Sequence, residues 1–209
     1  MMHPWYWFCR FCCLLTLRLC FGVKVYGKKN VPRTGGLLLV ANHQSFLDPP
    51  AIGSSLPREC DYMARKTLFD NPLFGRLIRS VNTFPVEANA SDLTTIRTLI
   101  DRLKNNRVIV IFPEGARSED GQLQPFKSGF ELIARRSGAT TLPVAIEGSF
   151  AAWPRGGKIS LRQKIRIKFG RPISPEQAKE MPKESYVQQV ESQVRRLHSE
   201  LLDPSRLLP

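Results

Sequence analysis

Two short stretches of this 209-residue chain contain no polar residue: Gly36-Leu37-Leu38-Leu39-Val40-Ala41 and Val108-Ile109-Val110-Ile111. A strand with one face in water alternates apolar and polar residues, because successive side chains point to opposite faces. An unbroken aliphatic run this short is the pattern of a strand covered on both sides. Such cover comes from helices above and below, joined to the strands by crossovers, so the expected fold is α/β with a mostly parallel central sheet. The length suits a single domain with a substantial core.

The rest of the chain supplies the remaining elements. Strand patterns fall at residues 23–26, 61–65, 82–86, 141–146 and 164–169, and the two apolar runs give strands at 36–41 and 107–112. A helix is expected from about Ser45, where Ser45-x-x-Asp48 matches a capping box and Pro49-Pro50 suits a first turn. Residues 73–80 read as a short amphipathic helix. Ser91-Asp92 caps another, whose apolar positions Leu93, Ile96, Leu99, Ile100 and Leu103 recur every three or four residues. Residues 126–137 read as a helix closed by Gly138, and Pro175 opens a polar helix running to about Leu202. The alternation Lys164-Ile165-Arg166-Ile167-Lys168 suits an edge or half-exposed strand.

Charge narrows the partners without choosing one. The 31 Lys and Arg against 18 Asp and Glu leave a net +13. That surplus favours nucleic acid, an anionic membrane surface or an anionic substrate, and a merely solvated basic surface fits the same count. Residues 5–25 read WYWFCRFCCLLTLRLCFGVKV, and their charge-free portion, 11–17, falls far short of a membrane span. On a helix turning about 100° per residue, Arg10, Arg18 and Lys24 fall within roughly 120° of one another. A broad apolar face with aromatic residues and a narrow basic stripe describes a helix lying on a bilayer; packing on the protein's own core is the competing reading. A signal-peptide cleavage site of the Ala-x-Ala kind is missing. Four of the five cysteines (Cys9, Cys12, Cys13, Cys20) lie in this region, with neither zinc-site spacing nor an even set for a disulfide framework. They read as small apolar thiols in a reducing compartment.

Each apolar run leads into a string rich in functional groups: Asn42-His43-Gln44-Ser45-Phe46-Leu47-Asp48 and Phe112-Pro113-Glu114-Gly115-Ala116-Arg117-Ser118. In open α/β sheets such groups collect on loops leaving the carboxyl ends of strands. His43 is a natural general base, since imidazole takes and returns protons near neutrality. Asp48 is placed to accept the other ring N–H, provided the turn folds His43 back over the first helical turn. The alternative is an Asp48 that only caps backbone amides, beside a satisfied loop histidine. Arg117 offers a planar fork of donors for phosphate or carboxylate, and Gly115 allows close backbone approach to an anion. A structural Glu114–Arg117 ion pair is the competing reading. Lys66 and Arg65, at the end of a strand, are further phosphate candidates or simply solvated charges. Lys127 opens the helix expected at 126, where an anion is also welcome.

Taken together, the two strings resemble the glycerolipid acyltransferase family, in particular its 1-acylglycerol-3-phosphate acyltransferases. Their order and separation match, as do Ala64-x-Lys66-x-Leu68-Phe69 and Leu142-Pro143-Val144, and the resemblance covers about residues 20–170. It implies direct transfer without an acyl-enzyme or any cofactor or metal: His43 deprotonates the sn-2 hydroxyl of 1-acyl-sn-glycerol 3-phosphate (lysophosphatidic acid), which attacks the thioester of acyl-CoA or acyl carrier protein. Asp48 would orient His43, Arg117 would hold the acceptor phosphate, and Glu114, Gly115, Lys66 and Ser118 would complete the acceptor site. Residues 1–22 would dock the enzyme on the cytoplasmic face of a membrane, leaving 23–209 as the catalytic domain, with phosphatidic acid as product. One departure stands out. The family commonly carries an Arg shortly after a strand like that at 83–86, and here the chain reads Glu87-Ala88-Asn89 with no Arg before Arg97. Another lysolipid or a non-phosphate acceptor therefore remains open.

Other classes fit less well. No Gly-x-Ser-x-Gly elbow marks a serine hydrolase, although Ser45 stands near His43, and no Walker A or Gly-x-Gly-x-x-Gly loop marks a nucleotide site. The aromatic-studded strands of an RNA-binding module are missing, and a nucleic-acid binder would leave the N-terminal apolar face without a purpose. A scaffold without activity would have no use for His43 and Asp48.

Overall fold

The computed structural model describes residues 4–86, 93–161 and 163–203. The strands are β1 (Lys24–Tyr26), β2 (Leu37–Ala41), β3 (Cys60–Arg65), β4 (Thr83–Val86), β5 (Val108–Ile111), β6 (Thr140–Glu147) and β7 (Arg166–Phe169). The helices are α1 (Pro4–Phe21), α2 (Asp48–Ser55), α3 (Pro72–Ser80), α4 (Leu93–Lys104), α5 (Gly129–Ser137), the short α6 (Ser149–Ala152), α7 (Pro175–Glu180) and α8 (Lys183–Leu202).

The two apolar runs lie side by side in one seven-stranded sheet of order β1-β7-β6-β2-β5-β3-β4. β2 and β5 pair in parallel, Leu37 opposite Val108 and Val40 opposite Ile111, and every residue of both strands is buried. β6 flanks β2 and β3 flanks β5, both in parallel, and β4 continues in parallel beyond β3. Only β7 runs against its neighbour β6. The α/β class and the mostly parallel sheet are as expected.

Alternation along the central strands builds two cores. Leu38, Val40, Ile109 and Ile111 face Leu99 and Leu103 of α4, Phe130 and Ile133 of α5, and Tyr186, Val190 and Val194 of α8. Leu37, Leu39, Val108 and Val110 face Ala51 and Ile52 of α2 and Leu17 and Phe21 of α1. Each fully buried aliphatic side chain of this kind contributes about 1.5–3 kcal/mol, which is why the runs tolerate no polar residue.

Three local expectations are corrected, and one pair of alternatives is decided. The C-terminal helix is two helices: α7, opened by a Ser174–Gln177 capping box, ends at Glu180, and Pro182 takes the cap position of α8 because it cannot donate to the preceding turn. The helix expected at 126 begins at Gly129, and the Phe126 and Lys127 amides before it donate to Glu191 Oε2 (3.2 Å) and the Pro113 carbonyl (3.0 Å). Lys127 therefore precedes the helix rather than opening it. The basic–apolar strand β7 is half-exposed but is not an edge, since β1 pairs with it. The helix after His43 begins at Asp48, not Ser45. The Ser91-Asp92 cap and the Glu87-Ala88-Asn89 departure lie outside the described residues.

α1 packs one side on the protein's own core and leaves the other side exposed. Tyr6, Leu17 and Phe21 are buried, and the Tyr6 hydroxyl accepts the Cys60 amide at 2.9 Å. The outward side leaves Trp7, Phe8, Phe11, Leu15 and Leu19 exposed. Among the described residues no helix is long and apolar enough to cross a membrane.

Candidate active site

The site begins where β2 ends. The Asn42 carboxamide grips β6 with two bonds, Nδ2–H donating to the Ile146 carbonyl and Oδ1 accepting the Ile146 amide, both 2.9 Å. That grip fixes the direction in which the chain leaves the sheet. Asp48, at the first turn of α2, is fully buried and reaches back. Its Oδ2 accepts the amides of Gln44 (2.6 Å) and Ser45 (2.7 Å) and faces His43 Nδ1 at 2.8 Å. Capping amides and holding the imidazole are thus one arrangement rather than alternatives. The Ser45 hydroxyl does not serve as the expected cap; it donates to the Trp153 carbonyl (2.8 Å) and accepts the Leu47 amide (3.2 Å). With Asp48 ionised, His43 carries its proton on Nδ1, and Nε2 keeps the lone pair a general base needs. The ring stacks on Phe112, centroids 4.0 Å apart and planes 18° from parallel.

The second string closes on the first. Glu114 Oε1 accepts the His43 amide (2.9 Å), Glu114 Oε2 accepts the Gln124 amide (3.3 Å), and the Ser118 amide donates to the His43 carbonyl (2.8 Å). Both edges of the His43 peptide are held by the loop that carries Arg117. Burial pushes the Glu114 carboxyl up to about 7, against the opposing pull of the two amide donors.

Glu114 is taken up by these amides, so the structural Glu114–Arg117 pair is not the arrangement formed. The Arg117 guanidinium instead lies over the Phe46 ring, 3.4 Å from its centroid, and Phe46 packs on Trp153 at 5.4 Å. Arg117 Nη1 is buried with no hydrogen-bond partner among the described residues. Burial lowers the Arg117 pKa, and the nearby charges of Arg155 and Arg65 lower it further. Arg155 is itself paired with Glu119 Oε1 (3.1 Å), so Arg117, with its unpartnered Nη1, is the cation here that suits an incoming anion.

Gly115 adopts φ +80°, and a Cβ there would lie 2.7 Å from Lys127 Nζ, so glycine both permits the turn and admits that lysine. Ser118 is buried, and its hydroxyl donates to Asp120 Oδ1 (2.9 Å). His43, Asp48, Glu114, Gly115, Arg117 and Ser118 are therefore gathered in one place. Lys66, at the start of a 3-10 turn, lines a cavity of about 290 Å³ with Phe84, Pro85, Val86 and threonines of α4, none of them from the two strings.

Sequence reasoning missed the aromatic supports. Phe46 and Phe112 stand inside the two strings, so their positions were a signal; Trp153 had none. It also missed Gln44, whose Nε2 donates to the Gly121 carbonyl (2.8 Å), and the pair His198–Glu147 (2.6 Å) close by.

An imidazole held by a buried carboxylate stands beside a guanidinium on a loop clasped to it, an arrangement able to serve proton transfer next to an anion. Comparison with known proteins gives the family. Residues 22–147, more than half of the chain, match the Acyltransferase family, and the chain belongs to it. It is 32% identical to the 1-acyl-sn-glycerol-3-phosphate acyltransferase of Bacillus subtilis, covering 80% of this chain and 82% of that one. It is 27% identical to the chloroplastic enzyme LPAT1 of Arabidopsis thaliana, of which it spans only 44%. The crystal structure of the 1-acyl-sn-glycerophosphate acyltransferase PlsC from Thermotoga maritima superposes with a TM-score of 0.77 at 32% identity, covering 88% of this chain and 74% of that one.

Proposed function

We propose that the protein transfers a fatty acyl group from a thioester, acyl-CoA or acyl carrier protein, to the sn-2 hydroxyl of 1-acyl-sn-glycerol 3-phosphate, giving phosphatidic acid at a membrane surface. The observation that carries this is the 2.8 Å His43–Asp48 contact on a loop bonded, through both edges of the His43 peptide, to the loop of Arg117. The acyltransferases that the chain resembles are named for the same acceptor, which supports this reading.

In this reading His43 Nε2 takes the proton of the acceptor hydroxyl as its oxygen attacks the thioester carbonyl. The tetrahedral adduct collapses with cleavage of the C–S bond, and the imidazolium returns the proton to the departing sulfur. Asp48 stabilises the imidazolium in between. Arg117, backed by Arg65, binds the acceptor phosphate. No cofactor or metal enters these steps. The outward aromatic face of α1 and the +13 charge fit an anionic bilayer at the cytoplasmic face better than a nucleic acid.

The deciding experiment follows free-thiol release from acyl-CoA and from acyl carrier protein by detergent-solubilised protein, with lysophosphatidate, monoacylglycerol or no acceptor. Release that depends on lysophosphatidate is expected. Equal release with monoacylglycerol would reassign the acceptor, and none with either thioester would overturn the proposal.

A further inference from the structure

α3 is the most exposed helix close to α1. Asn71 caps its start, accepting the Phe74 amide at 3.0 Å, and Gly75 is the residue it buries, packed so closely on Phe69 that a Cβ would lie 2.9 Å from that carbonyl oxygen. The outer side presents Leu73 (79% exposed), Leu77 (50%) and Phe74 (44%) to solvent. Leu73, Leu77 and Ser80 follow one another at helical spacing and so share a stripe. Ser80 is where α1 meets it: its hydroxyl accepts the Trp5 indole N–H at 2.9 Å, and Trp5 stacks on the exposed Phe8 at 5.8 Å. The apolar side of α3 therefore runs into the apolar side of α1.

Exposed apolar area of this continuity marks an interaction surface. Its charge says which kind. The ionisable residues of α3 are Arg76 and Arg79, with no acid among them, and Arg79 lies over the Phe69 ring at 4.6 Å. Leucine and phenylalanine flanked by arginine on a short surface helix match the interface of an anionic bilayer, where apolar side chains enter and guanidinium groups meet phosphates.

We propose that α3 is a second membrane-contacting helix, inserting Leu73, Phe74 and Leu77 beside α1 while Arg76 and Arg79 engage anionic lipid headgroups. The proposal rests on the membrane reading of α1. A single helix lying on a surface is free to roll about its axis. Two helices joined at Trp5 and Ser80 remove that freedom and fix how the ends of the strands face the lipid.

The test is flotation of the full chain with vesicles of equimolar phosphatidylglycerol and phosphatidylcholine. L73S/L77S is compared with L93S, which alters an exposed leucine of α4 on the other face of the sheet. The double variant should partition about tenfold more weakly, with L93S unchanged and all melting temperatures alike. Should the double variant lose stability, L73S, at the most exposed of these positions, carries the comparison. R76E should weaken binding to these vesicles and leave binding to pure phosphatidylcholine unaltered. Partition of L73S/L77S equal to that of the unaltered protein, or an equal loss in L93S, overturns the proposal; so does L73S/L77S dissociating a dimer seen by light scattering. An unaltered protein that fails to float at all overturns the membrane reading itself, and one that floats without transferring acyl groups overturns only the assigned reaction.

Discussion

The Arg117 guanidinium carbon lies 3.4 Å from the centroid of the Phe46 ring, although the two residues belong to different loops. A buried guanidinium nitrogen without a hydrogen bond is costly, and the negative face of an aromatic ring offsets part of that cost without occupying the donors. Phe46 thus keeps Arg117 in place and available. Replacing Phe46 with alanine should raise the acceptor KM from a few-fold up to about 30-fold, the span of a cation–π contact worth about 0.5–2 kcal/mol. In steady-state kinetics kcat should change little, and F46Y should retain the acceptor KM.

The dyad makes a different prediction. Asp48→Asn keeps the size of the side chain but sets an amide against donors at Gln44, Ser45 and His43. It should lower kcat by about 10²–10⁴, because the imidazolium loses its stabilising charge and the correct tautomer. His43→Ala should abolish acceptor-dependent thiol release while circular dichroism shows an intact fold.

Glu114 gives a pH signature. Its carboxyl, raised from an ordinary 4.5 to about 7, keeps its proton in the folded state where the unfolded chain has released it. The folded state therefore holds more protons between these values, and this contribution to stability, complete below 4.5, is lost as pH rises through about 7. The slope approaches but does not exceed about 1.4 kcal/mol per pH unit. In thermal melts from about pH 5 to pH 8, the unaltered protein should lose more stability than Glu114→Gln, which cannot titrate.

A tight contact under α1 predicts a packing defect. Gly53 of α2 is buried, and a Cβ there would sit 1.6 Å from the Tyr62 hydroxyl oxygen and 2.5 Å from the nearest ring carbon. Gly53→Ala should cost about 1–3 kcal/mol by overpacking, seen as a lower urea midpoint with an unchanged slope.

The sheet was legible in the chain because its centre is written in consecutive aliphatic residues, and both core faces follow from their alternation. What escaped depends on partners far away in sequence. β7 reads equally as an edge or as a half-exposed strand until β1 is seen beside it, and Ser45 reads as a cap until its hydroxyl is seen to find the Trp153 carbonyl. Pro182 is the residue at which the C-terminal helix breaks, a stop that the polar helical pattern on either side does not itself show. In the site, residue types at strand ends pointed to a base, an acid and an anion clamp. Their contact did not follow from spacing, because it depends on Asn42 gripping Ile146 and on Glu114 and Ser118 closing over the His43 peptide.

That last closure makes the two loops a ruler. The loop bearing Arg117 holds the His43 amide through the Glu114 carboxyl and the His43 carbonyl through the Ser118 amide, and Phe46 seats the guanidinium, so the span from guanidinium to Nε2 is set by both loops together. Under the proposed reaction, an acceptor would be gauged by the reach between its anionic group and its hydroxyl, and altering that gauge would require both loops to change together.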